Sequence, residues 1–221
     1  MTMYIVFINV LLSLENSKGL VVNMKLRVFN IIKNTKVEGP GNRYCIWVQG
    51  CSRHCRGCQA VHTWSHRGGE LYDLKSIIAD ILKHKDNIEG VTFLGGEPFE
   101  QAEALGLIAE SVKSKGLSVV CFTGGKIEEL RKNQINKKLL DNTDLLIDGE
   151  FIQELVDYSR PWCGSANQKY HFLTDRYNEE IFTKYKNKVE LNISKNGQIF
   201  MNGMGNFEEI LRKVDLAVIK K

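Results

Sequence analysis

Proline is scarce in this chain, three in 221 residues, and neither internal repeats nor low-complexity stretches occur. That excludes solenoid and propeller arrays, and it excludes proline-rich linkers between independent modules. Neither sign of charge dominates: 30 basic and 26 acidic side chains leave a net +4, and patches such as Lys184 to Lys188 are interrupted by an apolar residue. The scatter reads as a solvated surface and not as a nucleic-acid footprint. Long apolar runs are missing too. MTMYIVFINVLLSL, at the start, is apolar over about a dozen residues, whereas a bilayer-spanning helix needs about 20. It also lacks the basic flank of a signal peptide. Residues 1–23 therefore read as an N-terminal extension or a mis-assigned start, with no membrane role. No nucleophile triad or carboxylate pair is apparent.

What is present is the balance of a soluble globular protein, 43% hydrophobic and 25% charged, with one sizeable core. From Met24 the chain alternates as a strand does. Tyr44 to Val48 is a strand ending at Gly50. Asp73 to Lys85 is apolar at Leu74, Ile77, Ile78, Ile81 and Leu82, a helical face with Asp73 as its cap. GVTFLGG, LSVVCFTGG and TDLLIDGEF are further buried strands, and the stretches between them are helical, the first stopped by Gly116. Strands and helices in this alternation predict βαβ units and a parallel sheet. Ligands of such sheets bind at the carboxyl ends of the strands, where Cys51, Gly95, Thr123 and Asp148 fall. After about Asp175 the pattern changes to two strands joined at Asn196-Gly197 and a closing amphipathic helix. The expected organisation is residues 1–23, a catalytic domain over 24–175, and a small hairpin and helix appendage over 176–221.

Three of the six cysteines fall in WVQGCSRHCRGCQAVHTW as C-x3-C-x2-C, at Cys51, Cys55 and Cys58. Clustered thiols in a chain of this size suit a metal site in a reducing, cytoplasmic setting better than a disulfide framework. A structural zinc site needs four ligands, and only His54 and His62 stand nearby to complete one. A [4Fe-4S] cubane held by three thiolates keeps one iron open to a substrate. Such an iron can chelate the amino and carboxylate groups of S-adenosylmethionine, whose sulfonium is then cleaved by one electron; the protein's part is to orient and to exclude water. A zinc-binding interaction module and a plain electron carrier remain alternatives at this point.

GGEP, Gly95 to Pro98, stands at the end of the next strand. With the cysteine triplet, this resembles the radical S-adenosylmethionine enzymes. Further motifs narrow the resemblance to the activating enzymes of the anaerobic, class III ribonucleotide reductase. They are G-P-G-x-R at Gly39 to Gly41 with Arg43, the C-x3-C-x-G-C loop with Gly57, Thr63-Trp64, Thr123-Gly124, DLLIDGEF at 144–151 and WCGSANQ at 162–168. The resemblance covers residues 24 to about 175. It implies an α/β fold of the partial, open (βα) barrel type, with the cluster loop over its rim. It implies Cys51, Cys55 and Cys58 as cluster ligands and Gly95, Gly96 and Glu97 around the methionine end. Thr123 and Asp148 are placed to reach the methionine or ribose. Gly164, Ser165, Asn167 and Gln168 form a polar turn near the partner's entry, although Gln168 reads equally as structural. The implied partners are a glycyl radical enzyme, the anaerobic ribonucleotide reductase, and a flavodoxin or ferredoxin as electron donor, with a homodimer as the expected assembly. Another glycyl radical enzyme, a peptide or a small molecule is the alternative target. Cys45 and Cys121 read as core, and Cys163 is open to a ligand or redox role.

Overall fold

The computed structural model describes residues 24–219 apart from 194, 197 and 198. The extension 1–23 and Gly197 of the expected turn lie outside that set. Among the described residues no helix is long and apolar enough to cross a membrane.

The fold is mixed α/β around a seven-stranded sheet of order β3-β1-β2-β4-β5-β6-β7. Its centre is β2 (Arg43–Val48), β4 (Gly90–Gly95), β5 (Ser118–Phe122) and β6 (Leu145–Asp148), all parallel as the alternation of elements predicts. Antiparallel strands flank them: β1 (Lys25–Thr35) and β3 (Glu70–Asp73) on one side, β7 (Lys169–Phe172) on the other. Neither β3 nor β7 was expected.

Side chains alternate across each strand, and the two faces of this sheet have different covers. Tyr44, Ile46, Val48, Phe93, Val119, Cys121 and Leu146 pack under α1 (Leu74–Lys83), α2 (Ala102–Lys113), α3 (Ile127–Leu130) and α4 (Lys137–Asp141). Helix α1 buries Leu74, Ile77 and Ile81, while Asp73, at its N-cap position, makes no capping hydrogen bond. Each such apolar side chain contributes about 1.5–3 kcal/mol against about 1 kcal/mol for a cap. Packing therefore positions this helix without the expected cap. On the opposite face Val120, Leu145 and Ile147 meet Trp162, Cys163, Tyr177 and Ile181.

At the amino ends of the parallel strands lies Arg43, fully buried. Its guanidinium donates to Thr92 Oγ1 at 3.0 Å, Ser118 Oγ at 2.6 Å, Tyr177 Oη at 3.2 Å and the Val91 carbonyl. A buried cation is tolerated only when its donors are satisfied. Tyr177 relays the contact by donating to Glu89 Oε1 at 2.8 Å. Arg43 thus ties β2, β4 and β5 together at the end remote from the cysteines.

The C-terminal segment adds α5 (Ile181–Lys184), the hairpin β8 (Val189–Ile193) with β9 (Ile199–Gly203), and α6 (Phe207–Ile219). The hairpin sits against the end of β1 and the loop after it. Glu190 accepts from Thr35 Oγ1 at 2.6 Å and from the Lys36 amide at 3.1 Å, Asn202 Nδ2 donates to Thr35 Oγ1 at 3.1 Å, and the Gly203 amide donates to Glu38 Oε1 at 2.6 Å. Burial pushes the Glu38 carboxyl from 4.5 up to about 7 against the opposing pull of the Gly203 and Asn202 hydrogen bonds, with nearby Glu190 adding to the rise. Because the folded value exceeds the unfolded one, the stabilisation is complete below about 4.5 and is lost as pH rises through about 7. By linkage the unaltered chain should lose roughly 1 kcal/mol relative to Glu38→Gln between about pH 6 and about pH 8. Urea denaturation midpoints at the two pH values check this; parallel shifts in both chains would contradict it.

Candidate functional site

The carboxyl ends of the parallel strands converge on one side of the sheet. β2 is followed by Gly50, at φ +105°, and then by the cysteine loop. The Gly50 amide donates to the Thr63 carbonyl at 2.7 Å and the Cys51 amide to the Trp64 carbonyl at 3.0 Å. The Thr63-Trp64 pair therefore anchors the start of the loop through its backbone. Glu100 adds a second anchor, accepting from the Ser52 amide at 2.8 Å and bonding His66 Nε2 at 2.7 Å. Burial raises the Glu100 carboxyl, but these two partners outweigh it and hold it below the ordinary range.

Cys51, Cys55 and Cys58 line one cavity of about 250 Å³ with Gly95, Gly96, Glu97 and Thr123. Burial pushes up the thiols of Cys51 and Cys55, against the amides of Arg53 and His54 for Cys51 and of Phe151 for Cys55. The Ala60 amide donates to Cys58 Sγ at 3.4 Å. Amide donors aimed at sulfur favour the thiolate, and hydrogen bonds to sulfur are a means by which proteins tune iron-sulfur clusters. Among the described residues, no three His, Cys, Asp or Glu side chains are gathered around a single ion. A cubane does not require that, since each thiolate binds a different iron and the ligands surround a volume. The donor set, three thiols lining one cavity with His62 beside them, fits a cluster. His54 packs at a tilt against Trp64, 4.6 Å between ring centroids, and His62 likewise against Phe29 at 4.5 Å.

Gly95 and Gly96 bring β4 against the start of the loop. The Gly96 amide donates to the Val48 carbonyl and the Glu97 amide to the Gly50 carbonyl, both at 2.8 Å. The buried Glu97 carboxylate then collects four donors: the Phe99 amide at 3.0 Å, Thr123 Oγ1 at 2.7 Å, the Gly124 amide at 3.0 Å and Arg53 Nε at 2.8 Å. Arg53 was missed in the sequence. It lies between two cysteines, and its link to Glu97 joins the cysteine loop, β4 and β5 in one contact. The signal was an unassigned cation in a loop expected to face a strand-end carboxylate.

Thr123 borders the cavity, but its hydroxyl is engaged, donating to Glu97 and accepting from the Gly125 amide at 2.9 Å. Asp148 is displaced from the expected position. It shares the parity of Leu146, which faces the helices, so its carboxylate turns away from the cavity to accept the Ile127 amide at 2.7 Å. Asp148 Oδ2 also lies 3.0 Å from His171 Nε2, an ion-pair distance without hydrogen-bond alignment. Gln168 reaches the cavity edge, yet its side chain accepts from the Gly164 and Ser165 amides and donates to the Gly149 carbonyl, a structural engagement. Cys163 is fully buried in the second apolar cluster and does not line the cavity; burial raises its thiol.

Comparison with known proteins agrees with this geometry. Residues 37–171 match the family model of the 4Fe-4S single cluster domain. The chain is 37% identical over 142 residues to the anaerobic ribonucleoside-triphosphate reductase-activating protein of Haemophilus influenzae, covering 61% of this chain and 90% of that one. The protein of the same name from Vibrio cholerae is 36% identical over 145 residues, covering 62% and 92%. That of Enterobacteria phage T4 is 30% identical over 145 residues, covering 63% and 89%. Among solved structures, QueE from Escherichia coli aligns with a TM-score of 0.41 at 18% identity, over 49% of this chain and 56% of that one, too slight a likeness to bear on function. A cluster-binding loop matched by the family model, and relatives aligned over nearly their full length, lead to one statement: this chain belongs to the family of anaerobic ribonucleoside-triphosphate reductase-activating proteins.

Proposed function

We propose that this chain installs a glycyl radical on the anaerobic ribonucleoside-triphosphate reductase, using a [4Fe-4S] cluster and S-adenosylmethionine. The observation that carries the reading is that Cys51, Cys55 and Cys58 line one cavity with the Gly95 to Glu97 strand end. When bound, the two cofactors supply one-electron cleavage of the sulfonium and, through it, hydrogen-atom abstraction from a glycine Cα.

The chain's own residues hold and orient. Cys51, Cys55 and Cys58 ligate the cluster, and the missing fourth thiolate leaves the substrate its place. Gly95, Gly96 and Glu97 border the methionine end, with Arg53 and Thr123 fixing the Glu97 carboxylate. Thr123 acts there as a positioning residue. An open, partial barrel suits the task, because the target is a segment of another protein. Residues 24–175 carry the catalytic site in this reading; Tyr177 and Ile181 still belong to the core beneath it, and the hairpin and helix that follow are an appendage seated on it. The clustered cysteine triplet supports a reducing, cytoplasmic compartment, with flavodoxin or ferredoxin as donor and a homodimer as the assembly.

The test is an anaerobic EPR spectrum of the reconstituted, reduced protein with S-adenosylmethionine and the reductase of the same organism. A glycyl radical doublet that requires every component is the expected result. No doublet from an intact cluster and a competent reductase would direct the search to another glycyl radical enzyme or a peptide target.

A further inference from the structure

Beyond residue 171, where the match to the family model ends, the chain folds back onto the cavity. Phe200, Met201, Asn202, Met204 and Phe207 line it together with the three cysteines. The segment 200–207 is seated at both margins. On one side Phe200 meets Trp47 edge-on at 6.2 Å, and Gly203 and Asn202 are bonded to Glu38 and Thr35. On the other side Gln59 Nε2, adjacent to the third cysteine, donates to the Gly205 carbonyl at 3.0 Å. Met204 Sδ lies 3.3 Å from where a Cβ on Gly164 would stand. Gly203 permits the bend, since at φ +104° a Cβ there would lie 2.1 Å from the Lys188 carbonyl oxygen.

This wall differs in chemistry from the one across the cavity. Glu97, Thr123 and Gly124 present a polar, hydrogen-bonded strand end, which suits a charged amino-acid group. Apart from Asn202, whose amide is bonded to Thr35, the segment 200–207 presents two phenyl rings and two thioethers, which offer such a group no hydrogen bond. They suit an extended peptide, because thioethers adapt their shape and aromatic faces lie against peptide planes. We propose that residues 200–207 form a substrate-selecting wall in which Met204 and Phe207 hold the glycine-bearing segment of the partner reductase beside the cluster loop. The inference rests on the reading of this chain as an activase of that reductase.

The test is the affinity for the anaerobic reductase of the same organism, measured by biolayer interferometry without oxygen and with S-adenosylmethionine present. Met204→Ala/Phe207→Ala should weaken it about tenfold or more, as removal of two buried apolar anchors does. Iron content and S-adenosylmethionine affinity of the same preparation should match the unaltered chain, and Met204→Leu/Phe207→Leu should recover most of the reductase affinity. Unchanged affinity in the alanine variant overturns the assignment. A parallel loss of iron also overturns it, since the segment would then serve to support the cluster loop. If the unaltered chain forms no complex with the reductase, the activase reading falls and takes this inference with it.

Discussion

Cys55→Ala should lose the cluster and all cleavage of S-adenosylmethionine. Cys55 is the middle ligand of the triplet and shares the cavity with Cys51 and Cys58. Two thiolates cannot retain a cubane that three already hold at the minimum compatible with an open iron. The fold should survive the change. Cys55 is only partly buried, and the bond in its turn, from the Cys58 amide to the Cys55 carbonyl at 3.1 Å, is backbone and remains. The stability cost should stay within about 1 kcal/mol. The checks are visible absorbance, iron and sulfide content, and the yield of 5'-deoxyadenosine under reducing conditions. A variant that still forms 5'-deoxyadenosine would contradict the ligand assignment.

Gly96→Ala should have an effect of comparable size through a different cause. A Cβ at residue 96 would stand 2.2 Å from the Gly50 carbonyl oxygen and 2.9 Å from its carbon. Both are backbone atoms in the stretch that also receives the Glu97 amide, so no side chain can move aside. The end of β4 must separate from the cysteine loop, moving Glu97 and its four donors relative to the cluster ligands. Overpacking of this kind costs about 1–3 kcal/mol, and S-adenosylmethionine affinity should fall by roughly a hundredfold, the equivalent of about 2.7 kcal/mol. Gly116→Ala is the contrasting case. Gly116 has φ +83° and nothing within 4 Å of its Cβ position, so the change costs roughly 1–2 kcal/mol of backbone strain with no change in affinity. Calorimetric titration of both variants separates the two effects. Equal affinities would mean that the close approach of Gly96 to Gly50 does not organise the site.

The parallel strands were legible because each is a short buried run flanked by a helical period, information that is local. The edge strands β3 and β7 were not. ELYD and KYHF are four residues long, too short for alternation to stand out. The cysteine triplet and GGEP were legible because their spacing is itself the chemistry. The orientation of Asp148 was recoverable in principle, since Leu146 and Asp148 must share a face of β6. Counting alternation from the buried strand, and not only its end position, would have turned Asp148 toward the helices. The seating of the C-terminal segment was invisible for another reason. Tyr177 meets Arg43 across a separation of 134 residues, and Asn202 meets Thr35 across 167. No window of sequence contains both members of either pair.

Those separations also set an order in time. A ribosome makes the chain from its amino end, and domains begin to fold as they emerge. Cys51, Cys55 and Cys58 are therefore exposed in the nascent chain, along with Glu97 and Thr123, well before residues 200–207 exist.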